Sequence, residues 1–201
     1  ISNTNVAKFT SGVADDDFLR VNGTDIEGRS ASEVLTDIGG RANKNLLING
    51  GMNVWQRSTS ATGITSSGYH SADRIYTYVN NHGTYTMARS TTVPTGQGFG
   101  YSWKIDCTTA DTSLAANAHV MVSQPIEGQN LQRIKKGTSS ADSLTLSFWI
   151  RSNLTGTFTA ELVDLDNTRQ ISQTFTISSA DTFEKKEITF AGDTSGAMNN
   201  D

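Results

Sequence analysis

From residue 144 the chain alternates. In "LTLSFWIR", Leu144, Leu146, Phe148 and Ile150 fall on one side and Thr145, Ser147, Trp149 and Arg151 on the other. That is the period-two pattern of a strand with one face inward. The pattern recurs in "GTFTAELVDLDN", which turns Phe158, Ala160 and Leu162 inward, and in "RQISQTFTISS", with Ile171, Phe175 and Ile177. "DRIYTYVNNHGTYTMARS" predicts strands over 73–79 and 84–89 around "NNHG", a hairpin signal. "HVMVSQPIEG" predicts a strand stopped by Pro125, and 184–190 a further strand with a charged middle. In "GFGYSWKIDCTT", Phe99, Tyr101, Trp103, Ile105 and Cys107 share one face, which makes Cys107 a core residue. The expected core gathers Leu144, Leu146, Phe148, Ile150, Phe158, Leu162, Phe175 and Trp103. Short strands separated by turn signals, with no βαβ spacing and no fixed repeat, predict an all-β sandwich or barrel.

Residues 1–43 read differently. After Asp15-Asp16-Asp17, Phe18 to Val21 predicts a short strand. Ser30 and Glu33 are spaced as a capping box, so a helix is expected over Ala31 to Ile38, stopped at Gly39-Gly40. Val34, Leu35 and Ile38 share a face of it. A helix of about two turns is not stable alone. Its stripe needs a partner, either the downstream domain or copies from other chains. The organisation expected is a connecting region, 1–43, and a β domain, 44–201.

Composition sharpens this picture. The chain has 201 residues, 35% of them hydrophobic, and is rich in Ser, Thr and Gly, which favours pleated, half-buried surfaces over helices. The net charge is -4 and the densest basic patch is only Arg133, Lys135 and Lys136, which points away from nucleic acid. No apolar run is long enough for membrane insertion. One cysteine, Cys107, excludes an internal disulfide.

Candidate chemistry is sparse. His70, His82 and His119 have no Cys or carboxylate at ligand spacing, so no zinc is implied. Asp164 and Asp166 in "VDLDNT", like the Asp15–Asp17 run, offer calcium-type oxygens but without flanking ligands, and read as solvated turns. No G-x-S-x-G occurs, and "GQGFG" has no following helix to cradle a phosphate. No cofactor is implied and no catalytic set stands out, so a non-enzymatic protein is expected. The aromatic residues are the stronger candidates. Trp149 stands on the polar face of its strand, and Tyr76 and Tyr78 share a face of theirs. Each can pack under a loop, meet a neighbouring subunit or stack on a glycan.

"FLRVNGTDIEGRSASEVLTDIGG", then "NLLINGGMNVWQR", then "SADRIY" together resemble tail-fibre and tail-appendage proteins of tailed bacteriophages, especially marine ones. In these an N-G-x-M-x-x-x-Q-R segment opens a jelly-roll domain and a D-R-aromatic segment follows. "LTLSFWIRSN" resembles a strand of the same domain, which is similar to carbohydrate-binding-module sandwiches. The resemblance covers about 15–201. Ser58 and Ile75 depart from it, where glycine and tryptophan are common. It implies a structural virion protein, a homotrimer located in the phage tail with other tail proteins and contributing to host attachment, with host-surface glycan a candidate partner. A free carbohydrate-binding module and a glycan-degrading tailspike are the alternatives.

Three expectations follow from these segments. The Trp55-Gln56-Arg57 run marks the first strand of the domain, with Asn49-Gly50-Gly51 as the turn into it. Arg57 and Asp73, the charged members of the two segments, form an ion pair, the alternative being two separate surface charges. "AGDTSGAMNND" has no closing strand and Ile1 is not Met, so the chain is expected to be part of a longer product, with apolar side chains left exposed on an inner face.

Overall fold

The computed structural model describes residues 17–22, 25–37 and 45–196. The chain divides after Leu46 into two compact units.

In the first unit, strand β1 (Phe18–Asn22) pairs antiparallel with β2 (Asp25–Arg29), Phe18 opposite Arg29. Helix α1 (Ala31–Asp37) follows. The capping box forms: the Ser30 backbone N–H donates to Glu33 Oε2 at 2.9 Å, and the Glu33 N–H to Ser30 Oγ at 3.4 Å. Charge, rather than an apolar seam, ties the helix to the hairpin. Arg29 donates to both Asp37 oxygens at 3.0 Å, and Arg20 reaches Asp37 at 3.1 Å and Glu27 as well. Leu35 is exposed and Val34 half-buried. Ile38, the third member of that stripe, lies outside the described residues, as do Gly39 and Gly40.

The second unit is all-β and antiparallel. Its strands are β3 (Ser60–Ile64), β4 (Tyr76–Asn80), β5 (Thr84–Ser90), β6 (Ser102–Thr109), β7 (His119–Ser123), β8 (Leu144–Ile150), β9 (Gly156–Asp164), β10 (Arg169–Ile177) and β11 (Glu184–Phe190). A short helix, α2 (Gly128–Leu131), runs into a 3-10 turn before β8. One sheet has the order β3-β5-β6, and β4 pairs with β7. These two sheets face each other. Val79 of β4 and Tyr85 and Met87 of β5 are buried together, with Ile64, Trp103, Ile105 and Val120 packed against them. Thr77, also buried, directs its hydroxyl at Met87 Sδ, 3.5 Å away.

The remaining strands pair as β8 with β11 and β9 with β10. The register of β8 is as its alternation requires: Leu144, Leu146 and Phe148 are covered, Thr145 and Ser147 exposed. Phe190, Ile177 and Ile188 are buried, and Phe148 meets Phe175 edge-on at 5.2 Å. The expected core is nevertheless not closed. Phe158, stacked on Phe175 at 5.8 Å, and Ile171 are both 38% exposed. The reason is geometric. Among the described strands β9 pairs with β10 alone, so the apolar face of this outer strand is left partly open. Burial declines along β10 from Ile177 at one end to Ile171.

Two further expectations need correction. Cys107 is a free, exposed thiol rather than a core residue. The β5–β6 ladder shifts register between Thr84 and Tyr85, and the covered face of β6 stops at Ile105. Residues 52–59 do not form a first strand; β3 begins at Ser60. The backbone of the Trp-Gln-Arg run is held instead by side chains, as described next.

Candidate functional site

Asn49 organises the loops where the two resembling segments meet. Its φ of 60° is left-handed, a conformation that Asn tolerates better than most residues. Its side-chain N–H groups donate to the carbonyls of Val54 and Asp73, each at 3.0 Å. Its Oδ1 accepts from the Asn53 and Val54 N–H groups, each at 2.9 Å. All the hydrogen-bonding capacity of the amide is therefore spent on backbone. Asp73 adds two links: its N–H donates to the Val54 carbonyl at 3.2 Å, and its carboxylate accepts the Gln56 N–H at 2.8 Å. Gln124 fixes the other side, bonding both the N–H and the carbonyl of Ile48. Segments 48–57 and 69–74 thus hold each other without a β-ladder.

Between them lies an open cleft of about 550 Å³. Ile48, Val54 and Tyr69, each exposed, give it apolar walls; Gln56, Arg57 and Arg74 give it polar ones. The expected Arg57–Asp73 ion pair does not form. Asp73 turns to the Gln56 N–H, and the Arg57 guanidinium lies over the Tyr69 ring, 5.0 Å from its centroid, a cation–π arrangement. Arg74, with a left-handed φ of 69°, reaches Glu127 Oε1 at 3.1 Å.

Tyr69 begins a row of rings. It meets Tyr76 edge-on at 4.9 Å, and Tyr76 meets Tyr78 at 4.7 Å. The alternation of β4 explains the row: Thr77 and Val79 point into the sandwich, so Tyr76 and Tyr78 take the other face. Both are half-buried, whereas Tyr69 is 41% exposed. Tyr76 and Tyr78 were legible in the sequence by period two. Tyr69, between Gly68 and His70 in an irregular stretch, carried no periodic signal.

Trp149 is elsewhere. It lines a smaller cleft of about 370 Å³ with Val93, Pro94 and Phe183. It is half-buried by its own chain, and beside it Arg151 donates to the carboxylate and the carbonyl of Asp181, each at 2.8 Å.

The other polar cluster carries an internal cation. The Lys136 ammonium lies 2.5 Å from Asp164 and 3.4 Å from Asp193, and donates to the Gly196 carbonyl. The hydrogen bond from Lys136 holds the Asp164 carboxyl below its ordinary range. Asp164 is thus part of an ion pair, not a solvated turn. Among the described residues, no three His, Cys, Asp or Glu side chains are grouped to hold a metal ion. At the β4–β5 turn, Tyr85 Oη bonds His82 Nδ1, and burial, with the nearby Cys107, pushes the phenol up to about 12.

Comparison with known protein families, with characterised proteins and with solved structures found no match for this chain.

Proposed function

We propose that this chain is a structural protein of a tailed-phage virion, a tail fibre or tail appendage that contributes to host attachment. The observation that carries the reading is the joining of its two resembling segments. "NGGMNVWQR" and "SADRIY" are separate in sequence, yet Asn49 and Asp73 bind them into one frame around one cleft. A β-sandwich with such a frame around an open cleft walled by Ile48, Val54 and Tyr69 suits a presenting or binding role. The jelly-roll assignment and the homotrimer belong to this proposal. Exposed Leu35, on a helix held to its hairpin by charge, supports contact with other subunits through Val34 and Leu35.

The test has two parts. Light scattering of the purified chain should give three times the monomer mass, and antibodies against it should decorate virion tails. Antibodies that label no part of the particle would overturn the proposal. The second reading, a free carbohydrate-binding module, is favoured by the exposed Tyr69 at the head of the tyrosine row. A monomer that binds glycan and is absent from virions would decide for it.

A further inference from the structure

We propose that the cleft beside Tyr69 recognises a sugar bearing an anionic substituent, with Arg57 as the principal contact. The inference rests on the attachment reading and deepens it by naming a ligand class.

Arg57 is exposed and its cation lies over an aromatic ring. Among the described residues its guanidinium makes no ion pair or hydrogen bond; the ring contact is its only partner. Five N–H donors in a planar fork are therefore held near one position and left unspent. That is how a bidentate receptor for a carboxylate or sulfate is built. The cleft's own carboxylate, Asp73, is not paired with Arg57; its Oδ2 accepts the Gln56 N–H instead. The second guanidinium on the wall, Arg74, is only partly engaged: one Nη reaches Glu127 at the exposed rim, where both side chains are about half exposed. An incoming anion can share it, since an exposed pair of this kind holds weakly.

The rest of the lining suits a sugar. Ile48, Val54 and the Tyr69 edge present apolar surface for the C–H faces of a pyranose, while the Gln56 side-chain amide makes no hydrogen bond among the described residues and can meet hydroxyls. The volume, about 550 Å³, lies in the range of small-ligand clefts. A neutral glycan would leave the Arg57 fork unanswered; an acidic one answers it.

The experiment uses the full chain and three oligosaccharide sets of equal length: uronate-containing, sulfated and neutral. Binding is measured by calorimetry at low and raised salt. One or both acidic sets should bind more tightly than the neutral set and weaken with salt; the stronger of the two identifies the substituent. Arg57→Gln should lose tenfold or more in affinity, Arg57→Lys should recover part of it, and Arg74→Gln should lose less. Lys104→Gln, in the exposed Lys104–Asp106 pair, should bind as the unaltered chain does. Circular dichroism checks that each variant is folded. Equal binding of neutral and acidic sets, or unchanged affinity in folded Arg57→Gln and Arg74→Gln, overturns the inference. Absence of binding to all three sets overturns it too. In each case tail labelling still decides the attachment reading by itself.

Discussion

The side-chain amide of Asn49 donates to the backbone carbonyl of Asp73 across 24 residues of sequence, at 3.0 Å. This bond and its three companions replace the ladder that a strand at 52–58 would have made. Each net hydrogen bond is worth about 1 kcal/mol, and Ala at a left-handed φ adds strain. Asn49→Ala is therefore expected to cost about 2–4 kcal/mol in urea unfolding. Asn49→Gly, which keeps the backbone conformation, should cost less, and Asn49→Asp, which loses both donors, should not rescue. A loss within about 0.5 kcal/mol for Asn49→Ala would show that the frame is held by something else.

Lys136 gives a second expectation. Its side chain is 10% exposed and answers two carboxylates and a carbonyl. Lys136→Met should destabilise by about 1.5–3 kcal/mol, the range for hydrogen bonds to charged groups. Equal stability of the two proteins would mean that the cluster is ornamental.

Acid should act on the same cluster. The Arg169 guanidinium, then the Ser195 N–H, hold the Asp193 carboxyl at about 2 against an ordinary 3.8, and Asp164 is lowered chiefly by Lys136. Carboxyls depressed in the folded state bind protons more readily once unfolded. Their contribution is therefore complete above the unfolded value and is lost as pH falls towards the folded one. Unfolding followed by tryptophan fluorescence should show stability falling from about pH 4 to about pH 2. In Arg169→Gln the fall should be shallower; an identical slope would refute the linkage.

The position of the core can be tested by two truncations. Met87 is fully buried and Phe158 is 38% exposed. Met87→Ala should cost about 2–5 kcal/mol by leaving a cavity. Phe158→Ala, although it removes the larger side chain, should cost only about 1–2 kcal/mol because water already reaches the site. The reverse order would move the core to the β9–β10 hairpin.

Cys107 offers a chemical check. Because it is free and exposed, a disulfide reagent should titrate one thiol in the folded chain without denaturant. Reaction only after unfolding would return Cys107 to the core.

Much of the fold was legible because strands with one covered face leave a period-two imprint. β8 and β11 lie where the sequence placed them, and "NNHG" marked the turn between β4 and β5, but the hairpin expected there does not form, because β4 pairs with β7 and β5 with β3 and β6. Where side chains rather than ladders satisfy the backbone, no period exists to read. The Trp55-Gln56-Arg57 run read as a strand although side chains hold the backbone there, and the predicted strand from Asp73 begins only at Tyr76, after the left-handed Arg74. β2, "DIEGR", was missed because it has one apolar side chain and a glycine. Of the site, Tyr76, Tyr78, Arg57 and Asp73 were visible as residue types. The partner choice was not: a carboxylate two segments away from a guanidinium can equally accept a backbone N–H, and here it does.

The division of labour inside the cleft bears on how such a surface can change. Asn49, Gln124 and Asp73 fix the main chain, whereas Arg57, Tyr69 and Arg74 project from it and contribute no hydrogen bonds to that frame. The walls can therefore be re-lettered one side chain at a time while the loops keep their course. On the attachment reading proposed above, single substitutions at these positions can alter the preference of the cleft while Asn49, Gln124 and Asp73 still hold the loops.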